Sequence, residues 1–456
     1  MPIPVIAIFD IGKTNKKLLL FNEQYKIVLE QSFQFEEIMD DDGDACEDVN
    51  RLTKWIKEYL YTITSSDEFD VKAINVSAYG ASFVLLDEKG NLLAPLYNYL
   101  KAYPEDLKKK FYKNYGGEET VSLQTASPVL GNLNSGMQLY RLKYQRPELF
   151  SKIKYALHLP QYISWLVTGK SYSDITSIGS HTALWDFRQK KYHRWVHQEK
   201  IDEKLAPIFP SDNISPVEVN GKKIVAGIGL HDSSAALIPY LSNLHEPFLL
   251  LSTGTWCISL NPFNDSALTQ DELEKDCLCY IDYKGKPIKA SRLFSGNEHE
   301  KQTKLLAEHF LVQSDHYKRV KYNADLIAKF KKESRLNREG DLSFTQRDYS
   351  LYKTYEEAYH QLIFDLITKQ VISTRLVLNN DTPIKRIFVD GGFSKNPIFM
   401  NILASAFPHL EVYAASVAQA TALGAALAIH QHWNENPLPS NLITLEFYAV
   451  TQAIVL

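Results

Sequence analysis

The chain has 456 residues, of which 45% are hydrophobic and 23% are charged, and its formal net charge at pH 7 is -4. This length exceeds one ordinary core, so we expect two domains, and the small negative charge excludes the basic surface typical of a nucleic-acid-binding protein. The 4 cysteines are scattered, and the closest pair, Cys277 and Cys279, lacks the spacing and the second pair of a zinc site. These features predict a soluble globular protein of the cytoplasm, where thiols stay reduced.

The N-terminus predicts a strand, a polar turn and a second strand. Residues 5–9 and 17–21 are apolar. The first apolar run is too short for a membrane span and lacks the basic leader of a signal peptide, so no membrane partner is expected. The polar residues between and beside them are Gly12, Lys13, Thr14, Asn15 and Lys17. Such a turn can hold a phosphate, and Asp10 before it can hold Mg²⁺ directly or through water. It is not a P-loop, because the first P-loop glycine would fall on Ala7 inside the strand and no helix pattern follows.

Three other stretches of the N-terminal half each allow two interpretations. The acidic patch of residues 40–44 with Glu47 and Asp48 shows no apolar periodicity, which favours a solvated loop over a cation site. Gly80 stands beside the aromatic Tyr79 at the end of a predicted strand, where the two residues either present backbone groups and a stacking face to a sugar or form an ordinary turn. His193 and His197 stand one helical turn apart, but no third ligand is nearby, which argues against zinc.

Near the middle of the chain, Asp232 is one acidic side chain among small residues. Glycines precede it and Ser233 and Ser234 follow it, a pattern typical of a loop that enters a helix. Because Asp is a preferred N-cap, one interpretation is a helix cap. The other is a general base, since an ionised carboxylate in an open position can accept the proton of an alcohol that attacks phosphorus.

A second strand, turn and strand pattern begins at residue 248. Its turn contains Thr253, Gly254 and Thr255. This pattern repeats the first hairpin, and a phosphate chain between two such turns would be contacted from both sides.

Two glycines near the C-terminus follow another predicted strand. Gly391 and Gly392 come after residues 386–389, and Asn396 is a predicted N-cap before Pro397. These glycines either let the backbone lie flat against a base or ribose, or form a tight structural turn. Residues 418–429 predict a helix of small residues, including Gly424, that can pack closely.

The order and spacing of five motifs resemble the FGGY family of carbohydrate kinases. The motifs occupy residues 10–15, 229–232, 251–255, 390–396 and 420–424. Residues 157–169 look like the family's Pro-Asp-Tyr and Leu-Thr-Gly segment, so the resemblance spans nearly the whole chain. The loop of residues 77–87 is most similar to the rhamnulokinase and fuculokinase branch.

The resemblance implies an α/β fold in which two ribonuclease-H-like domains, of the actin, Hsp70 and sugar kinase type, flank a catalytic cleft. Residues 1–234 would form the mainly sugar-binding domain and residues 235–456 the mainly ATP-binding domain. The implied cofactors are ATP and Mg²⁺. Asp232 would be the catalytic base and, with Asp10, would place Mg²⁺.

The resemblance carries over the remaining site residues position by position. The implied phosphate-binding residues are Gly12, Lys13, Thr14, Asn15, Lys17, Thr253, Gly254 and Thr255. The implied adenosine-binding residues are Gly391, Gly392 and Asn396. The implied sugar-binding residues are Gly80, Ala81, His231 and Asp232.

Some positions depart from the family pattern. Gln161, Gln419 and Asn401 stand where the family often has Asp, Glu and Gln, respectively. Residues 96–103, after Pro95, lack the family's usual Asp and Arg. These departures leave the identity of the sugar open more than the chemistry.

The sequence therefore predicts an ATP-dependent kinase acting on a primary hydroxyl of a ketose, deoxyketose or related polyol, with an L-rhamnulose- or L-fuculose-like substrate favoured. The alternative is a catalytically silent, nucleotide-gated sugar sensor on the same fold, against which the presence of both Asp10 and Asp232 argues. An ATPase-driven chaperone or filament subunit has no use for an alcohol-activating Asp. The expected partners are a small-molecule sugar and ATP. The sequence does not decide between a monomer and a homodimer.

Overall fold

The computed structural model describes residues 1–336, 344–379 and 382–450. They form two seven-stranded mixed sheets with helices packed around them. One sheet is built from residues 3–231 and the other from residues 248–448, so the α/β architecture is the predicted one. The predicted division between residues 234 and 235 falls within the helix Asp232–Asn243 and stays a prediction.

The first sheet brings the ends of several strands to one edge. Its strands are ordered Ile214–Val219, Lys222–Gly227, Phe69–Ala78, Ile3–Ile11, Lys16–Asn22 and Ile27–Phe33, with Leu230–His231 paired to the end of Phe69–Ala78. The register sets Asp10 opposite Lys17 and beside Ser77, and sets His231 beside Ala78. Because parallel strands end at the same edge, Asp10 and Asp232 come to one side of the sheet.

The second sheet repeats this arrangement. Its strands are ordered Cys277–Ile281, Pro287–Leu293, Cys257–Asn261, Phe248–Thr253, Arg386–Gly391, Glu411–Ser416 and Thr444–Tyr448. In each sheet, three neighbouring strands are antiparallel to one another. Two strands from later in the chain run parallel to the first of these three. The turn at residues 253–255 therefore has the same position in its sheet as the turn at residues 12–15.

Helices cover the sheets where apolar residues recur at helical spacing. The helix Val49–Thr64 shows this: Asp48 caps it by accepting from the N–H of Arg51, and its buried residues include Leu52, Ile56 and Ile63. The other helices are Glu105–Tyr115, Glu118–Thr125, Ser135–Gln145, Pro147–Lys152, Leu159–Thr168, Ile175–Ile178, Arg194–Gln198, Asp232–Asn243, Gln270–Glu274, Ser295–His309, Ala324–Leu336, Tyr355–Val377, Pro397–Ala406 and Ala420–Ala428. Short paired strands outside the two sheets are Ile38–Met39 with Ala45–Cys46, Phe83–Leu86 with Tyr155–His158, Ser173–Asp174 with Ile208–Phe209, and Trp185–Asp186 with Lys191–Tyr192.

Two helices pack against each other and join the sheets. A Cβ atom at Gly424 would lie 1.8 Å from the carbonyl oxygen of Ala235, so Asp232–Asn243 and Ala420–Ala428 approach as closely as the small residues predict. The apolar cluster around them contains Ile6 of the first sheet and Leu250 of the second. One continuous core therefore connects the two sides of the cleft.

Two local observations refine the expectations for the N-terminal half. Residues 40–44 are not a wholly solvated loop, because Asp40 is buried and pairs with Lys101. His193 contacts Gln124 and the imidazole of His197 contacts Asp202, each at 2.7 Å, so the two rings have different partners.

Within the described part of the chain, no helix combines the length and hydrophobicity that a membrane crossing needs.

Candidate active site

Asp232 is the first residue of its helix, at the carboxyl edge of the first sheet. His231 occupies the N-cap position, so the interpretation of Asp232 as a cap is wrong. The carboxylate accepts hydrogen bonds from the N–H and the hydroxyl of Ser233, at 2.6 and 3.2 Å. Burial raises the pKa of Asp232 to about 6, yet 32% of the side chain remains exposed. The group is therefore mainly ionised at pH 7 and accessible to an alcohol.

Asp10 lies within electrostatic range of Asp232. The hydroxyl of Thr421, from the helix Ala420–Ala428, donates to the carboxylate of Asp10 at 2.8 Å. Burial raises the pKa of Asp10 to about 6, and the negative charge of Asp232 adds to this, while the Thr421 hydrogen bond opposes it. Two carboxylates that repel each other form a donor set that a divalent cation would neutralise.

Two of the predicted sugar-binding residues, His231 and Gly80, pack against each other. A Cβ atom at Gly80 would lie 2.7 Å from Cδ2 of His231, so only glycine lets the ring take this position. The imidazole stacks on Tyr280 of the second sheet, with centroids 6.2 Å apart, and burial lowers the pKa of His231 to about 4. The ring is therefore neutral at pH 7. Ala81 is buried, and its carbonyl accepts from Gln138 at 2.5 Å.

The Gly12 turn, residues 12–15, is surrounded by lysines. It is closed by a hydrogen bond from the N–H of Gly12 to the carbonyl of Asn15, at 2.8 Å, while Thr14 and Asn15 are exposed. Lys13 pairs with Glu37 at 2.5 Å, and Lys17 donates to Gln419 at 2.9 Å.

Lys16 supports the Gly12 turn from inside the protein. Its ammonium donates to the carbonyls of Gly12 and Lys13, at 3.2 and 2.9 Å, and pairs with buried Glu47 at 2.6 Å. Lys16 is not among the predicted site residues, but strand alternation indicates that its side chain points to the opposite face from that of Lys17.

The Thr253 turn, residues 253–255, is held by backbone contacts. The carbonyl of Thr253 accepts from the N–H of Gly392 at 2.8 Å, and its hydroxyl donates to the carbonyl of Asp390 at 2.6 Å. Gly391 has a φ of 93°, and a Cβ atom there would lie 1.9 Å from the carbonyl oxygen of Thr253. Glycine is thus required at the meeting of the two segments.

A cavity of about 470 Å³ lies beside the Thr253 turn. Its lining includes Thr253, Gly254, Gly296, His299, Tyr317, Gly392 and Asn396. Asn396 caps the helix Pro397–Ala406, as predicted, and its side chain also donates to the hydroxyl of Tyr359 at 2.8 Å. The cavity thus joins a predicted phosphate turn to predicted adenosine residues.

The departures from the family pattern have local partners. Gln161 donates to the carbonyl of Gly229 at 2.8 Å and so supports the loop that leads to Asp232. Gln419 accepts from Lys17, and Asn401 donates to the carbonyl of Pro397 at 2.7 Å.

Ion pairs with the acidic residues 40–44 fix the segment of residues 96–103. Lys101 lies 2.6 to 2.7 Å from the carboxylates of Asp40, Asp42 and Asp44. The hydrogen bond from Lys101 lowers the pKa of Asp42 to about 2. The acidic residues therefore neutralise a buried cation of this chain.

Known proteins provide an independent comparison. Residues 5–231 match the FGGY family of carbohydrate kinases, N-terminal domain, and residues 245–437 match the carbohydrate kinase FGGY, C-terminal domain. Rhamnulokinase from Halalkalibacterium halodurans is 25% identical over 262 residues, which cover 55% of this chain and 54% of that protein. L-fuculokinase from Escherichia coli K12 is 23% identical over 283 residues, which cover 55% of each chain. The chain thus spans about half the length of the curated relatives it matches.

Solved structures share the fold along nearly the whole chain. A carbohydrate kinase from Novosphingobium aromaticivorans has a TM-score of 0.81 at 22% identity, covering 99% of this chain and 95% of that one. Xylulose kinase from Lactobacillus acidophilus has a TM-score of 0.77 at 17% identity, covering 98% and 94%. Because the two family matches together span most of the sequence and the fold agrees, the chain belongs to the FGGY family of carbohydrate kinases.

Proposed function

We propose that this protein is an ATP-dependent kinase that transfers the γ-phosphoryl group to a primary hydroxyl of a ketose, deoxyketose or related polyol. The observation that carries the proposal is Asp232, a partly exposed carboxylate within electrostatic range of a second carboxylate, Asp10, which leads into the Gly12 turn. Family membership supports the reaction class.

In this proposal, Asp232 accepts the proton of the acceptor hydroxyl as its oxygen attacks phosphorus. Its pKa of about 6 leaves it mainly ionised at pH 7 but still basic enough to take the proton. The exposed side chains of Thr14 and Asn15 in the Gly12 turn and of Thr255 in the Thr253 turn, with Lys17, stabilise the negative charge of the phosphates. Asp10 and Asp232 would hold Mg²⁺, which supplies positive charge to phosphate oxygens when bound.

The nucleotide would occupy the cavity of about 470 Å³. Its base and ribose would lie against Gly392, Asn396 and the ring of Tyr317, and its phosphates would point to the Thr253 turn. A hydroxyl, small side chains and rings form a lining suited to a flat base and a polar sugar.

The acceptor would lie against His231 and Tyr280. His231 is neutral at pH 7 and stacks on Tyr280, so this wall suits the C–H faces and hydroxyls of a neutral sugar rather than a carboxylate. Two relatives are named rhamnulokinase and L-fuculokinase, which favours an L-rhamnulose- or L-fuculose-like acceptor. ATP as the donor and free thiols at the described cysteines support a cytoplasmic location.

Coupled ADP release from the purified protein with Mg-ATP tests the proposal. The acceptor panel contains L-rhamnulose, L-fuculose, D-xylulose, pentitols and glycerol. We expect at least one acceptor to stimulate ADP release, and Asp232→Asn to reduce that rate about 1,000-fold while ATP binding persists. Asp67→Asn, at an exposed position, serves as the matched control and keeps the full rate.

Two outcomes would contradict the kinase proposal. A sugar that tightens ATP binding without any ADP release would support the nucleotide-gated sensor instead. Full ADP release in the absence of any sugar would support an ATPase of the same fold.

A further inference from the structure

The Thr253 turn contains no charged residue, but a cation lies beside it. The guanidinium of Arg292 stands over the ring of Trp256, 5.1 Å from the centroid, and Trp256 directly follows the turn. Four residues after Arg292, Gly296 meets the same turn, since a Cβ atom at Gly296 would lie 1.8 Å from the carbonyl oxygen of Gly254. Both contacts place Arg292 at the edge of the Thr253 turn.

Arg292 lies on the face of the second sheet that is turned toward the first sheet. It pairs with Ile258 of the neighbouring antiparallel strand, so the two side chains share a face. Ile258 packs against the apolar cluster that contains Ile6 of the first sheet. The guanidinium is therefore on the same side of its sheet as the cleft, across from the edge that carries Asp232.

The charge of Arg292 also acts on the acceptor wall, the surface of His231 and Tyr280 proposed for the sugar. Burial raises the pKa of Tyr280 to about 12, and the charge of Arg292 opposes this shift. Burial lowers the pKa of His181, and the charges of His231 and Arg292 add to that shift. The rings of Tyr280 and His181 each contact the ring of His231, with centroids 6.2 and 6.3 Å apart. Arg292 is thus near both the Thr253 turn and the acceptor wall.

The guanidinium of Arg292 is held by one of its nitrogens. Nη2 donates to the carboxylate of Asp276 at 2.6 Å, and 37% of the Asp276 side chain is exposed. The Nε atom is buried and has no hydrogen-bond partner in the described part of the chain. Because a buried donor without an acceptor is costly, Arg292 retains hydrogen-bonding capacity that an anionic oxygen would satisfy.

We propose that Arg292 is a catalytic residue that donates hydrogen bonds to the γ-phosphoryl group as it passes from ATP to the acceptor. This inference rests on the proposed kinase function. In the transfer, the bond from the γ-phosphorus to the leaving oxygen of ADP breaks, the bond to the acceptor oxygen forms, and Asp232 takes the hydroxyl proton. Arg292 gains and loses no proton. A guanidinium suits this position because its planar donors match phosphate oxygens and it stays charged at neutral pH.

The binding of two nucleotides tests the contact without an acceptor. Isothermal titration calorimetry compares ADP with a non-hydrolysable ATP analogue, each with Mg²⁺, in the wild-type protein and in Arg292→Gln. Because only the analogue carries a γ-phosphoryl group, we expect Arg292→Gln to raise the Kd of the analogue about tenfold and to leave the Kd of ADP unchanged. Asp276→Asn removes the ion partner but keeps the guanidinium, so it is the matched control and should leave both Kd values unchanged.

Turnover tests the catalytic role. With the panel acceptor that stimulates ADP release most, Arg292→Gln should lower kcat about 100-fold, because one donor to the charge of a transition state has this value. Arg292→Lys keeps the positive charge and should recover part of kcat. Arg188→Gln, at an exposed position, should keep the wild-type rate. Thermal unfolding monitored by circular dichroism verifies that each variant folds.

The failure of this inference differs from the failure of the proposed function. A wild-type Kd of the analogue in Arg292→Gln, or an equal rise in the Kd of ADP, overturns the role of Arg292 while kinase activity stands. Equal effects in Asp276→Asn and Arg292→Gln indicate a structural ion pair and also overturn it. If no panel acceptor stimulates ADP release in the wild-type protein, the proposed function is wrong and the catalytic role of Arg292 with it, whereas the difference between the two Kd values still reports the contact.

Discussion

The Gly12 turn and the Thr253 turn occupy equivalent positions in the two sheets but are stabilised in different ways. Side-chain charges support the Gly12 turn, above all the buried pair of Lys16 and Glu47. The Thr253 turn contains no charged residue, and it is stabilised by the close approach of the backbone at Gly391 and Gly392. We therefore expect the first turn to depend on buried charge and the second to depend on the absence of a Cβ atom.

Removing the buried cation from the first turn should have the largest effect. Lys16→Met would leave the carboxylate of Glu47 buried without its ion partner, and breaking such a pair costs roughly 3–5 kcal/mol of the free energy of unfolding. Urea unfolding monitored by circular dichroism measures this loss.

The matched control is Lys13→Met. Lys13 pairs with Glu37 at a more exposed site, so its loss should cost under about 1 kcal/mol. Equal losses in the two variants would show that the buried pair does not distinguish the Gly12 turn.

Adding one methyl group should disturb the Thr253 turn more than the Gly12 turn. At Gly391 a Cβ atom would clash with the carbonyl oxygen of Thr253, at 1.9 Å, whereas at Gly12 it would lie 3.2 Å from the carbonyl oxygen of Asn15. We expect Gly391→Ala to raise the Kd for Mg-ATP about 100-fold and Gly12→Ala to raise it only a few-fold. Isothermal titration calorimetry with a non-hydrolysable ATP analogue measures both. The expectation fails if Gly12→Ala has the larger effect.

The fold was accessible from the sequence because its signals are local and repeated. The apolar runs before the Gly12 and Thr253 turns predict two similar hairpins, and the structure confirms both as equivalent strands of two sheets. The cap at Asn396 was also predictable, because Asn followed by Pro is a helix start. Such signals need no knowledge of distant partners.

The contacts that fix the site were not predictable, because they join distant residues. Glu47 and Asp40 lie in an acidic stretch typical of a solvated loop, and nothing local indicates that they neutralise Lys16 and Lys101. The roles of the predicted site residues stay predictions until they are measured.

Acid should lower the stability of the folded protein through two histidines on the N-terminal side of the cleft. Burial lowers the pKa of His158 and of His181 to about 3. Below pH 6.5 the unfolded chain binds protons that the folded protein does not, so stability should fall by roughly 1.4 kcal/mol per pH unit for each histidine. The loss should begin near pH 6.5 and continue down to about pH 3.

Urea unfolding between pH 7.5 and 5 measures this dependence. His158→Gln should flatten the profile by the contribution of one histidine, whereas His409→Gln, at an exposed position, should leave it unchanged. A profile that does not change in His158→Gln would contradict the burial of a neutral ring.

The smallest expected effect concerns Thr421, which comes from the second half of the chain and reaches the carboxylate of Asp10 in the first. Thr421→Val keeps the shape of the side chain but removes the donor, so Asp10 loses one hydrogen bond that favours its ionised form. Because the proposed function gives Asp10 a part in holding Mg²⁺, we expect the Mg²⁺ concentration for half-maximal rate to rise about fivefold, with the acceptor KM unchanged. Thr168→Val, which removes a hydroxyl bonded within its own helix, is the control. A rise in the acceptor KM alone would instead indicate that Thr421 supports the acceptor wall and that Asp10 does not hold the metal.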